Sequence, residues 1–221
     1  MGQRGRPRSF DRDAAVRSAL RVFWARGYDG ATLDELLEAM GGLTPPSFYA
    51  AFGSKEELFC EVVELYQRTV GDGPRRALEA SPVRAAFDGV LRASVDTFEN
   101  NDVGRGCLVM LAAPSRTRTN VTAHERLKNI RCQSGDLLQK RLERAIKDGE
   151  LSPSAPVDSV AAFYSTVLHG LALRARDGAP HRALIAAVDG AMAAWDTLIA
   201  APPKRTTKRK ARAQGSQRRA R

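Results

Sequence analysis

The chain has 221 residues, 43% of them hydrophobic, which is enough for one or two packed domains. Its three cysteines, Cys60, Cys107 and Cys132, are scattered and never fall in a C-x-x-C spacing, which argues against a disulfide framework or a zinc knuckle. The net charge of +10 sits at the two ends: residues 201–221 hold nine Lys or Arg and residues 1–9 three Arg, with no acid in either, leaving residues 10–200 close to neutral.

The chain opens on R-G-R-P-R, in which Arg4, Arg6 and Arg8 alternate with Gly and Pro. Such an extended strip suits a narrow minor groove, as an AT-hook does; a plain basic leader is the other reading. No apolar h-region follows it and no run is read as long enough to cross a bilayer, so the expectation is a soluble, cytoplasmic protein. Val16, Ala19, Leu20 and Phe23 then mark one face of a helix over 11–26, with Gly27 placed for a left-handed cap. Thr32-Leu-Asp-Glu35 is a capping box, and Ser54-Lys-Glu-Glu57 repeats the device at another helix start.

Between these boxes lies L-T-P-P-S-F-Y-A-A-F, residues 43–52. Proline is costly inside a helix but tolerated in its first turn, where its missing N–H has no partner to lose. Thr44 therefore reads as the N-cap, Pro45 and Pro46 as the first two helical residues, and Leu43 with Phe48 as a hydrophobic staple. A helix of about two turns is unstable alone and must be held through Phe48 and Phe52. A short, rigidly held helix behind a Gly41-Gly42 turn is the second helix of a helix-turn-helix.

These residues carry a family resemblance. A-L-R-V-F-W-A-R-G-Y-D-G-A-T-L (19–33), G-L-T (42–44), F-Y-A-A-F (48–52) and S-K-E-E-L (54–58) together resemble the DNA-binding domain of TetR-family transcriptional regulators. The resemblance covers residues 10–60 and implies a larger helical domain behind them that dimerises and binds a small-molecule inducer. It makes Thr32, Tyr49 and Lys55 phosphate contacts and turns Thr44, Pro45, Pro46, Ser47 and Ala50 toward base edges. Free N–H groups and the positive dipole at helix N-termini suit phosphate in any case. Many relatives carry a larger residue where this chain has Ala50 and Ala51, so no bidentate base contact is visible in the helix.

Beyond Ser81 the periodicity predicts five more helices, 82–100, 106–113, 119–148, 156–176 and 180–200, separated by Gly and Pro. The fold class expected is all-α, with about nine helices: a basic arm (1–9), a helix-turn-helix domain with its connecting helix (10–70), a ligand-binding and dimerisation domain (71–200) and a basic tail (201–221). The last two helices carry apolar residues in 4-3 rhythm, Val160, Tyr164, Val167 and Leu171, then Leu184, Val188, Ala191, Trp195 and Leu198. Such seams suit a four-helix interface with a twofold mate or, read alone, closure of the monomer core. A ligand pocket is expected among Phe87, Leu91, Phe98, Cys107, Met110, Leu111, Phe163 and Tyr164. Cys107 reads as a buried inert thiol before it reads as a redox or electrophile sensor.

The tail, rich in Lys and Arg and poor in apolar residues, cannot build a core; it is either a solubility tail or an attractor of polyanions. His124, His169 and His181 are dispersed, and no H-E-x-x-H, G-x-S-x-G or P-loop occurs, so no catalysis, metal or cofactor is expected. The function implied is a homodimeric repressor that binds operator DNA and is released by an inducer. The rivals are an architectural DNA-coating protein without operator specificity and a helical enzyme or carrier with a vestigial helix-turn-helix.

Overall fold

The computed structural model describes residues 11–99, 104–113 and 115–200; the expectations for Arg4, Arg6, Arg8 and the tail lie outside these. Every regular element among them is helical: α1 Arg12–Gly30, α2 Leu33–Ala39, α3 Pro45–Phe52, α4 Lys55–Thr69, α5 Asp72–Ala77, α6 Val83–Glu99, α7 Leu108–Leu111, α8 Val121–Lys147, α9 Val157–Arg176, α10 His181–Ala193 and α11 Trp195–Ala200.

The N-terminal unit closes around aromatic rings. Phe23 and Tyr28 of α1 both meet Phe59 of α4 edge-on at 5.0 Å, and all three are buried. Edge-to-face contacts of this kind add modestly to what burial of the rings supplies. At Gly27 the helix breaks as expected but into an extended conformation (φ 72°, ψ 178°), and the chain then resumes a helical turn to Gly30. The reason is tertiary: the Tyr28 N–H donates to the Ala112 carbonyl at 2.8 Å, and a Cβ on Gly27 would sit 3.0 Å from that same oxygen. Only glycine combines that φ with so close an approach.

The larger domain packs α8 against α9, and α6 against α9 and α10, around Phe87, Tyr164 and Trp195. Burial raises the Tyr164 hydroxyl to about 12, and it donates to the Ala191 carbonyl. Three differences from expectation have physical causes. Helix α5 escapes sequence reading because Gly71, Gly73 and Pro74 signal a turn, and no side chain caps it. The segment 106–113 yields only one helical turn, flanked by Gly104 and Gly106 at positive φ. Finally, 180–200 divides at Ala194 into α10 and α11.

His181–Ala200 is long and apolar enough to cross a membrane by length and composition, contrary to the expectation, with a mean hydropathy of 1.5. One face of it, through Leu184, Val188, Met192 and Trp195, is packed into the monomer. Most of the rest stays uncovered, since only 28% of that window is buried.

The two units are bolted together. Arg176 of α9 donates to the Trp24 and Ala25 carbonyls at 2.7 and 3.0 Å, and the Trp24 indole N–H donates to the Arg105 carbonyl at 3.1 Å. Arg126 of α8 pairs with Glu64 of α4 at 2.6 Å.

Candidate DNA-reading face and buried cavity

The α2–α3 turn forms around two glycines at positive φ, Gly41 (95°) and Gly42 (73°). The N–H groups of Gly42 and Leu43 both return to the Leu37 carbonyl, at 2.9 and 3.1 Å, satisfying the end of α2. Thr44 then caps α3 by accepting from the Ser47 N–H, with Pro45 and Pro46 in the first turn. Phe48 and Phe52 are buried, whereas Thr44, Pro45, Pro46, Ser47, Tyr49 and Ala50 are all exposed, Tyr49 by 52%. Leaving a large aromatic in solvent on a helix whose other aromatics are buried is unusual enough to mark an interaction surface.

Two further helix starts flank α3. At Thr32 the capping box is complete: Glu35 N–H donates to the Thr32 hydroxyl at 3.2 Å, and Thr32 N–H donates to the Glu35 carboxylate at 3.1 Å. That backbone bond lowers the Glu35 pKa, with Arg26 assisting. At Ser54 the hydroxyl half forms, accepting from Glu57 N–H at 3.0 Å, while the Glu57 carboxylate lies back against Gly53. Lys55 opens α4 with its ammonium 4.6 Å from the centre of the Tyr28 ring. Partial burial lowers its pKa, and the negative charge of Asp29 opposes that shift. Cation–π attraction and that carboxylate both favour its charged form.

A cavity of about 190 Å³ lies behind this unit, between α4, α5, α6, α7, α8 and Leu168 of α9. Of the eight residues expected to line a pocket, Phe98, Cys107 and Met110 do so. Phe87, Leu91 and Tyr164 are instead fully packed core, and Leu111 is half-buried under Gly106. Phe163 faces a separate groove between α9 and α10. Sequence reading missed Tyr66 of α4 and Val70 just after it, Leu78, Val90 and Ser94, and Ile130, Ser134 and Leu138 of α8. The only local signal was the continuation of the apolar stripe of α4 through Val62, Tyr66 and Val70. The Tyr66 hydroxyl donates to the Cys107 sulfur at 3.2 Å. Burial raises the pKa of both groups, so Cys107 is a protonated thiol at neutral pH, in keeping with the inert reading.

The residues expected to form a dimer seam lie largely inside the monomer, though Val167, Leu171, Leu184 and Ala191 also line a groove. Val160, Leu171, Leu184, Val188, Ala191 and Trp195 are buried within the monomer, and Val167 and Leu198 partly so. A 4-3 spacing records only that one stripe is covered, and here the monomer covers it. The adjoining face holds a groove of about 430 Å³ whose exposed members include Gly170, Arg174, Ala187 and Gly190, with Leu173 51% exposed nearby.

A helix-turn-helix with a solvent-facing second helix, joined to a helical domain with a mainly apolar pocket, is the architecture of a DNA-binding transcriptional regulator. The sequence profile of "Bacterial regulatory proteins, tetR family" matches residues 15–62, and that of "Tetracyclin repressor-like, C-terminal domain" matches residues 83–189. A cysteine mutant of the TetR family transcriptional regulator CifR, solved with 26-base-pair double-strand operator DNA, is 43% identical. The match covers 86% of this chain and all of that one, with a TM-score of 0.81. The HTH-type transcriptional repressor ComR of Escherichia coli (strain K12) is 29% identical over 89% of this chain and 94% of its own length. The repressor BdcR of the same organism is 29% identical over 79% and 83%. The chain belongs to the TetR family, a class of regulators rather than enzymes.

Proposed function

We propose that two copies of this chain form a cytoplasmic repressor that binds operator DNA and is released when a small, mainly apolar molecule enters the cavity. The observation that carries the reading is α3: Phe48 and Phe52 anchor it, while Thr44, Pro45, Pro46, Ser47, Tyr49 and Ala50 stand free on the opposite face. Thr32, Tyr49 and Lys55 hold phosphates, and the first turn of α3, from Thr44 to Ser47 with Ala50, meets base edges. Support also comes from relatives that are repressors and from CifR, solved on its operator. The cavity supports release because its walls include Tyr66 and Gln67 of α4, the helix that Lys55 begins. A ligand that prefers a state with altered α4 placement lowers DNA affinity by that preference.

Genome-wide footprinting of the purified protein tests the reading. A few discrete protected sites support it; uniform coverage without preferred sites would establish the architectural alternative. On such a site, Lys55→Ala should weaken operator and random duplex by similar factors, whereas Ser47→Ala should change preference at one or two base positions. A shifted sequence preference in the lysine variant would reassign Lys55 to base reading.

The tail enters through charge alone. Each Lys or Arg that displaces a counterion adds about 0.9 to the slope of log affinity against log salt. If half of the nine cationic residues in 201–221 engage DNA, the tail contributes a slope of about 4. Deleting 201–221 should flatten the salt dependence on random duplex by that amount and leave the ranking of operator variants intact. An unchanged slope would make the tail a bystander. Deleting 1–9 should move the slope less and cost discrimination at A·T-rich flanks.

A further inference from the structure

The carboxylate of Asp29 sits where the two units meet, just after the break at Gly27. It accepts from the Asn120 side-chain amide at 2.7 Å, the Thr119 hydroxyl at 3.2 Å and the Thr117 hydroxyl at 3.5 Å. All three donors belong to the segment between α7 and α8. Asn120 is fully buried and braces that segment, accepting from the Thr117 N–H at 2.7 Å and donating to the Ser115 carbonyl at 2.9 Å. Lys55 holds its ammonium 4.6 Å from the ring centre of Tyr28, the residue next to Asp29, and the negative charge of Asp29 favours the charged lysine. One carboxylate therefore meets a preorganised set of donors in the larger domain and also acts on the ammonium proposed to contact a DNA phosphate.

We propose that Asp29 is a positioning residue for Lys55: the 115–120 segment holds its carboxylate, and loosening that hold lets Asp29 compete with DNA phosphate for the lysine. This rests on the phosphate-contact reading of Lys55. The physics is a choice between partners. A carboxylate with three donors has its charge largely satisfied, whereas one that loses its amide donor seeks the nearest cation. The segment that makes the choice follows directly on α7, where Cys107, Val109 and Met110 line the cavity. The Ala112 carbonyl at the end of α7 also receives the Tyr28 N–H, one residue before Asp29. A displacement of α7 thus reaches Lys55 through Asp29, beside any movement of α4 as a body.

The test is a mutant cycle on the full-length protein, read by fluorescence anisotropy on a random duplex across a salt series, so that no operator or inducer need be known. Lys55→Ala should weaken binding about tenfold, the scale of one charge-assisted hydrogen bond, and lower the salt slope by about 0.9. Asn120→Ala should produce a comparable loss, and Thr119→Val, which leaves the buried amide in place, a smaller one. In the Lys55→Ala background neither change should weaken binding further. Asp29→Asn should restore affinity to the Asn120→Ala protein, because an amide offers the lysine no charge. A purely structural role for Asn120 predicts instead that its loss adds in full to that of Lys55→Ala and that Asp29→Asn fails to rescue it; either result overturns the proposal. If Lys55→Ala itself leaves affinity and slope unchanged, the phosphate assignment falls and this proposal with it.

Discussion

Two negative charges placed in the α9–α10 groove, as Leu173→Glu with Ala187→Glu, should leave a folded helical protein that sediments as a monomer and loses about 10²–10⁴-fold in operator affinity. Both residues are exposed, and each borders or lines an apolar groove floored by Gly170 and Gly190. Small residues let two helix pairs approach closely, and a twofold mate would bring each added carboxylate near its own copy, where like charges repel. The size of the loss follows from avidity, because two half-sites on one duplex are read together only if the two reading heads are joined. Sedimentation velocity and operator anisotropy measure the two halves of the prediction. A dimer of unchanged affinity would place the interface on another face. The corresponding change at Val188 and Trp195 is a different experiment: both are buried in the monomer, so charging them should unfold the chain before it reports on assembly.

Arg141→Met should cost about 3–5 kcal/mol of folding stability, the range for removing one partner from a buried ion pair. Arg141 is only 4% exposed and donates to the Leu78 carbonyl at 3.2 Å, the Ala80 carbonyl at 2.8 Å and Glu150 at 3.2 Å. Glu150 in turn accepts from the Val83 N–H, so it serves as a distant cap for the start of α6. The guanidinium thus ties the ends of α5 and α6 to α8, and without it two carbonyls and a carboxylate lose their donor. The pair is not ideal, since Arg141 Nη1 meets no protein acceptor. For that reason Arg141→Met with Glu150→Gln should recover part of the loss: the amide leaves no buried charge and still accepts from Val83. Urea unfolding at fixed protein concentration measures both, the concentration being held because dimerisation shifts apparent stability. A loss below about 1 kcal/mol would show that water replaces the guanidinium at no cost.

The reading head was legible because its determinants are local. Thr32, Thr44 and Ser54 each cap the helix that follows them, and Pro45-Pro46 can stand only in a first turn, so residues 30–58 follow from short-range rules. The cavity was not legible in the same way. Its walls come from six helices, and Tyr66 enters it from a helix assigned to the other domain; no spacing within one segment encodes that. The dimer seam was ambiguous for a subtler reason. Periodicity shows that Leu184, Val188, Ala191 and Trp195 share a face but not what covers the face, and the monomer supplied the cover through α6 and α9. The more telling signal lay on the reverse of the same helix, where Ala186, Ala187 and Gly190 remain uncovered and almost uncharged.

The place of that uncovered face along the chain bears on how the protein is made. The groove belongs to residues 163–191, so it leaves the ribosome well after the reading head, which lies within residues 15–62. On the proposed assembly, an interrupted chain would carry a complete helix-turn-helix without the groove through which it pairs. It would occupy only one half-site, weakly, and could not be drawn into a mixed dimer with a finished copy. The order in which the surfaces are translated would then keep unfinished synthesis products out of the pool of working protein.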